Sequence, residues 1–226
     1  MFKKHIPNTI TCCNLISGCI AIYFAFQGDY SLALLSIIIG AVFDFFDGMS
    51  ARLLHVSSPI GKELDSLADV VTFGVAPSSI VFEYLCSFHE HLVIPFIAFV
   101  MAAFSALRLA KFNLDERQTT SFIGLPTPAN ALFWGSLIVG YGDWFSSMPY
   151  AAYGLVAMLL ISSYLLVAEL PLFALKFKHW GWQGNEVKYL FLLTSLLLLL
   201  LLGVKGIAVV IGWDVVLSVV TRSKQK

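Results

Sequence analysis

Four aspartates between residues 44 and 69 have the side chains and the spacing for metal-dependent chemistry. They lie in the stretch DFFDGMSARLLHVSSPIGKELDSLAD and are Asp44, Asp47, Asp65 and Asp69. Carboxylate oxygens are the ligands that hard cations such as Mg²⁺ and Mn²⁺ prefer. Two such cations bridged by shared carboxylates suit a pyrophosphate substrate, because they stabilise both the attacking and the leaving oxygens. The four residues therefore indicate a site for two divalent metals.

The spacing divides these aspartates between two helical faces. The first face has spacing i, i+3, i+4, i+7 and consists of Asp44, Asp47, Gly48 and Ala51. Asp65 and Asp69 are four residues apart and share a face of the next helix. Pro59 and Gly61 lie between the two segments and predict a chain reversal. We therefore expect a helical hairpin whose acidic faces converge, with small residues that leave room for a large ligand.

The composition is that of a membrane protein. Of the 226 residues, 58% are hydrophobic and 12% are charged, whereas a soluble domain has about 25% charged residues. An Asp at the centre of a membrane helix costs roughly 2.5–3.5 kcal/mol, so four cost on the order of 10 kcal/mol without compensation. The alternative to metal binding is that some of the aspartates cap helices or pair with Arg52 and Lys62. The formal net charge is zero, so no nucleic-acid partner is indicated.

The apolar runs predict an all-α, polytopic transmembrane helical bundle that forms one domain, residues 1–226. The eight predicted spans are residues 9–27, 31–53, 64–86, 91–111, 127–143, 149–174, 187–202 and 204–220. The last two, separated by Gly203, are alternatively one kinked element. If both termini are cytoplasmic, thirteen of the fourteen Lys and Arg residues lie on the inside and only Lys205 lies outside. This asymmetry follows the positive-inside rule and puts the acidic hairpin, residues 31–86, at the cytoplasmic face.

The hairpin resembles the motif of the CDP-alcohol phosphotransferases. The matching positions are Asp44, Asp47, Gly48, Ala51, Arg52, Gly61, Asp65 and Asp69. The resemblance implies that the four aspartates hold two divalent metals, Mg²⁺ or Mn²⁺, on the diphosphate of a CDP-activated donor. It also implies that Asp69 is the base for the incoming hydroxyl, and that Asp47 and the residues Gly48, Ala51, Arg52 and Gly61 bind the CMP moiety. Asn14 on the first span is a further candidate for nucleotide binding, with hydrogen bonding between helices as the competing interpretation.

A second stretch, residues 105–130, is predicted to bind the acceptor. Its sequence SALRLAKFNLDERQTTSFIGLPTPAN resembles the membrane-type phosphatidylserine synthases of bacteria and archaea within the same family. That resemblance implies a phosphatidyl transfer from CDP-diacylglycerol to L-serine, a bacterial or archaeal cell membrane as the location, and a homodimer. Arg108 or Lys111 would hold the serine carboxylate, and Asn113 would accept from its ammonium group. Ordinary positive-inside topology is the competing interpretation for Arg108, Lys111 and Arg117.

The sequence is also compatible with two other functions. The same family includes enzymes whose acceptor is glycerol 3-phosphate or an inositol phosphate, and a basic cluster in residues 105–130 would suit such an acceptor. A divalent-cation transporter would also use acidic residues, but it predicts acids near mid-membrane that are accessible from both faces. The spacing of Gly48, Ala51, Arg52 and Gly61 has no role in transport, and it favours the enzyme.

Overall fold

The computed structural model describes residues 5–56, 58–88, 93–114, 124–170, 181–182 and 185–222, without the side chains of residues 219–222. Over these ranges the chain forms helices and no strands, which confirms the all-α class. The α-helices are α1 His5–Phe26, α2 Tyr30–Leu53, α3 Pro59–Asp69, α4 Ala76–Cys86, α5 Val100–Leu114, α6 Thr127–Ser146, α7 Ala151–Val167, α8 Glu186–Leu202 and α9 Val204–Arg222. A π-helical turn, Val70–Val75, joins α3 to α4, and a 3₁₀ turn, Ile94–Phe99, precedes α5.

Among the described residues, four helical segments are long and apolar enough to cross a membrane. They are His5–Phe26, Tyr30–Leu53, Pro59–Cys86 and Ile94–Leu114, and Ala151–Val167 is apolar but shorter. These four overlap the first four predicted spans. The predicted spans at 127–143, 149–174, 187–202 and 204–220 overlap α6 to α9 and stay predictions, as does the position of the termini. Residues 91–92 and 171–174 of the predicted spans lie outside the described residues.

The hairpin turn differs in detail from the sequence prediction. The chain reverses between the end of α2 at Leu53 and the start of α3 at Pro59, and His55 in this connection has a positive φ of 51°. Pro59 begins α3 and does not break it, because proline suits the first helical position, where no amide hydrogen is needed. Ser58 caps α3 by accepting a hydrogen bond from the Gly61 amide at 3.0 Å. Gly61 is therefore the third residue of α3, and because it has no side chain, it leaves space at the adjacent surface.

The helices pack around a core centred on α1, α2, α4 and α6. The largest fully buried side chains include Trp134, Phe73 and Ile37. The π-helical turn lies at the centre of this packing, in contact with α1, α5 and α6. At the far end of the chain, α8 and α9 are separate helices, because Gly203 between them has a φ of 56°. A Cβ on Gly206 would lie 2.7 Å from the Leu198 carbonyl oxygen, so the first turn of α9 packs closely against the end of α8.

Candidate active site

The two acidic faces of the hairpin converge in the structure. Asp44 and Asp47 on α2 and Asp65 on α3 each offer one carboxylate oxygen, and these oxygens lie within 4.8 Å of one another. The carboxyl group of Asp44 also adjoins that of Asp69, at the end of α3. Helical spacing within each segment and the chain reversal between α2 and α3 therefore bring all four aspartates to one place. Their roles as metal ligands stay a prediction.

Asp47 and Asp69 are the two most enclosed of the four aspartates, with exposed fractions of 6% and 8%. The Asn14 side-chain amide donates a hydrogen bond to Asp69 Oδ1 at 3.1 Å. Asn14 is itself fully buried on α1. The structure thus places Asn14 against Asp69, a contact that the spacing of residues along the chain did not indicate.

The donor set fits a hard divalent cation. Asp47 Oδ2 is buried and accepts no hydrogen bond from any residue in the described ranges, and a buried oxygen of this kind needs a partner. The neighbouring cations are engaged elsewhere, since Arg52 Nε donates to the Gly48 carbonyl at 3.0 Å and Lys62 Nζ donates to the Asn113 carbonyl at 2.8 Å. The side chain of Asp69 accepts no capping hydrogen bond from the π-helical turn that follows it. These observations favour metal binding over capping or ion pairing.

An open cleft of about 220 Å³ lies beside the aspartates. Its lining includes five residues that the family motif assigns to the nucleotide or the metals: Asp47, Gly48, Ala51, Gly61 and Asp65. A Cβ on Gly48 would meet no protein atom within 4 Å, so this glycine keeps part of the cleft open. Arg52 is exposed and does not contribute to the lining. Asn14 also lies outside the lining.

Sequence reasoning missed the part of the cleft that α1 provides. Pro7, Asn8 and Thr11 line it, together with Ser58 and Lys62 from the other side. Pro7, Thr11 and Asn14 follow the spacing i, i+4, i+7 and are all buried. Extending the polar face of Asn14 by one helical turn toward the N-terminus would have found Thr11.

Within the predicted acceptor segment, Arg108 is buried and interacts with Asp69. Its side chain is 9% exposed, and its charge is near enough to interact with that of Asp69. The buried Arg108 Nε has no hydrogen-bond partner within the described part of the chain. Lys111 is exposed, and Asn113 donates to Ser66 Oγ at 2.8 Å, which ties the end of α5 to α3. Residues 115–123 of this segment, Arg117 included, lie outside the described residues.

The fold and the acidic hairpin agree with the comparison to known families. The family model of the CDP-alcohol phosphatidyltransferases matches residues 4–170, and the chain belongs to this family. Members of the family use divalent metals, in agreement with the acidic cluster.

Several curated relatives that are similar to this chain share the same name. The CDP-diacylglycerol–serine O-phosphatidyltransferase of Bacillus subtilis (strain 168) is 41% identical over 129 residues, which cover 55% of this chain and 70% of that protein. The protein of the same name from Methanocaldococcus jannaschii is 40% identical over 136 residues, or 60% of this chain and 59% of its own length. That from Mycobacterium tuberculosis (strain ATCC 25618 / H37Rv) is 30% identical over 178 residues, or 74% and 60%. The chain thus spans less than two thirds of the last two proteins.

Proposed function

We propose that this chain transfers the phosphatidyl group of CDP-diacylglycerol to the hydroxyl group of L-serine, giving phosphatidylserine and CMP. The observation that carries the proposal is the convergence of four carboxylates beside a cleft lined by small residues. Three of the carboxylates lie within 4.8 Å of one another through one oxygen each. The names of the relatives support serine as the acceptor.

The four aspartates would hold two divalent cations, Mg²⁺ or Mn²⁺. Asp44, Asp47 and Asp65 form the closest set of oxygen donors, and Asp69 completes it. When bound, the cations supply positive charge that offsets the diphosphate and stabilises CMP as a leaving group.

Asp69 is proposed to accept the proton of the serine hydroxyl. The serine oxygen forms a bond to the phosphatidyl phosphorus, the bond from that phosphorus to the CMP oxygen breaks, and CMP leaves with the bonding electrons. A hydroxyl is a poor nucleophile, so a carboxylate near the attacked phosphorus lowers the barrier by taking this proton. Asn14 orients Asp69 through its hydrogen bond at 3.1 Å.

The cleft would hold the CMP moiety of the donor. Gly48, Ala51 and Gly61 let the nucleotide approach the backbone, while the exposed Arg52 lies one helical turn beyond Gly48. The two acyl chains stay in the lipid between helices, which explains why polar chemistry takes place in an apolar bundle. We place the site at the cytoplasmic face of a multi-pass protein of a bacterial or archaeal cell membrane, and we propose that the protein is a homodimer.

Arg108 is proposed to bind the serine carboxylate. A guanidinium group can donate two parallel hydrogen bonds to a carboxylate, and Arg108 Nε is buried without a partner among the described residues. The position of Arg108 near Asp69 would bring the serine hydroxyl toward the proposed base. Lys111 and Asn113, farther along α5, would line the outer part of the acceptor site.

The test is CMP release by purified protein in mixed micelles with CDP-diacylglycerol and Mn²⁺ or Mg²⁺. Serine, glycerol 3-phosphate and inositol phosphate are compared as acceptors, and Asp69→Asn is compared with Asp143→Asn, an exposed aspartate on α6. We expect serine-dependent release that is lost in Asp69→Asn and retained in Asp143→Asn. Release with a phosphorylated acceptor alone would overturn the choice of serine. No metal-dependent release from folded protein would favour a cation transporter.

A further inference from the structure

Thr72 forms an unusual hydrogen bond next to the proposed base. It is fully buried in the π-helical turn that follows Asp69. Its hydroxyl donates to the backbone carbonyl of Asn14 on α1 at 3.0 Å. Most buried hydroxyl groups of the described helices donate to a carbonyl of their own helix, as Thr11, Ser36 and Ser136 do. The Thr72 hydroxyl instead links two helices.

Two glycines allow Thr72 to approach both neighbouring helices closely. A Cβ on Gly18 of α1 would clash with Thr72 Oγ1 and lie 2.8 Å from Thr72 Cα. A Cβ on Gly40 of α2 would lie 2.5 Å from Thr72 Cγ2. Thr72 is therefore wedged between the backbones of α1 and α2. Gly40 lies one helical turn before Asp44, so the wedge also sets the position of a carboxylate on α2.

Asn14 is held at two points by the same short segment. Thr72 binds its backbone carbonyl, and Asp69 accepts from its side-chain amide at 3.1 Å. Asp69 and Thr72 are three residues apart at the junction between α3 and the π-helical turn. Such π-turns often occur at functional sites. The three residues form a connected set, in which Thr72 binds the backbone of Asn14 and the Asn14 side chain binds the Asp69 carboxylate.

We infer that Thr72 is a positioning residue for the transfer step, acting through Asn14 on Asp69. The inference rests on the proposed role of Asp69 as base and is independent of which alcohol is the acceptor. A misplacement of about 1 Å in a reacting group can lower a rate by about a hundredfold. Thr72 should therefore affect kcat, while the cleft that binds the donor is unchanged.

The experiment compares Thr72→Val, which removes the hydroxyl but keeps the shape, with Thr72→Ser, which keeps the hydroxyl. We expect Thr72→Val to lower kcat between about tenfold and a hundredfold with KM for both substrates unchanged. Thr72→Ser should restore most of kcat. The control is Ser136→Ala, a buried hydroxyl on α6 that donates to its own helix, and it should leave kcat unchanged. If Thr72→Val does not fold, Thr72→Ala replaces it, because the smaller side chain cannot overpack. The expected loss of kcat is the same.

A double-variant cycle separates positioning from general packing. If Thr72 acts through the Asn14 side chain, Thr72→Val should cost no further kcat in an Asn14→Ala background. In metal-free protein, hydrogen–deuterium exchange should become faster around residues 14–18 and 69–76 in Thr72→Val and not in Ser136→Ala. Wild-type kcat in Thr72→Val, additive losses in the double variant, or unchanged exchange would each overturn the inference.

The choice of acceptor keeps the two proposals distinguishable. The Thr72 comparison is run with whichever alcohol supports CMP release by the wild-type protein. If that alcohol is not serine, the proposed acceptor is wrong while the Thr72 prediction is still tested. If no alcohol supports metal-dependent release, both proposals fail.

Discussion

Gly40 offers a test of how tightly the packing of α2 controls the proposed chemistry. In Gly40→Ala, the new Cβ would lie 2.5 Å from Thr72 Cγ2 and 3.0 Å from Asn14 Oδ1. Ordinary contact between carbon atoms is about 3.5–4.0 Å, so α2 or Thr72 must move by about 1 Å. Thr72 cannot rotate away without losing its hydrogen bond to the Asn14 carbonyl. The movement therefore changes the distance between Asp44 on α2 and Asp69 on α3.

The expected effect on stability is small, while that on activity is large. Overpacking costs about 1–3 kcal/mol, and replacing a glycine inside a helix by alanine gains about 1 kcal/mol. The free energy of unfolding should therefore fall by at most about 2 kcal/mol. A displacement of about 1 Å should lower kcat by about a hundredfold.

The assay is CMP release under saturating substrates, together with the thermal unfolding midpoint in detergent. Gly212→Ala on α9 is the matched control, because it is also inside a helix and its new Cβ would meet no atom within 4 Å. The control should keep the wild-type kcat and gain stability. If Gly40→Ala and Gly212→Ala have the same kcat, the packing of Thr72 against α2 does not control the site.

Other predictions test separate parts of the site. Gly48→Leu should raise the KM for CDP-diacylglycerol at least tenfold with little change in unfolding midpoint, because Gly48 lines the cleft and a Cβ there meets no protein atom within 4 Å. Arg108→Lys should raise the KM for serine about tenfold, since lysine lacks the two-pronged guanidinium contact, whereas Lys205→Met, at an exposed position on α9, should change it little. Tyr84→Phe removes a hydroxyl that donates to the Gly142 carbonyl at 2.6 Å and should cost about 1 kcal/mol of unfolding free energy with kcat unchanged. Both KM values come from initial-rate measurements of CMP release, and the unfolding free energy comes from denaturant titration in micelles.

The sequence was sufficient to predict the acidic hairpin because each part of it follows from local spacing. Asp44 and Asp47 share one face, Asp65 and Asp69 share the next, and a turn between them brings the faces together. The same locality explains the prediction of the all-α class from the apolar runs. The exact start of α3 was harder to predict, because proline can either break a helix or begin one.

Contacts between distant segments could not be predicted from spacing. Asn14 binds Asp69 across 55 positions of the chain, and Thr72 binds the Asn14 carbonyl across 58. The π-helical turn also leaves no clear pattern in the sequence, and the close approach of Thr72 to Gly18 and Gly40 joins segments far apart in the chain. Helical periodicity identifies which residues share a face, but the partner of that face depends on the tertiary fold.

The central claim is that the four aspartates form a divalent-cation site, and Mn²⁺ binding tests it most directly. Electron paramagnetic resonance of free Mn²⁺ would be measured during titration of purified wild-type protein, Asp44→Asn, Asp65→Asn and the control Asp143→Asn. We expect the wild type and Asp143→Asn to bind Mn²⁺ with equal affinity, and the two cluster variants to bind at least about tenfold more weakly because each loses a charged oxygen ligand. Equal Mn²⁺ affinity in all four proteins would contradict the account.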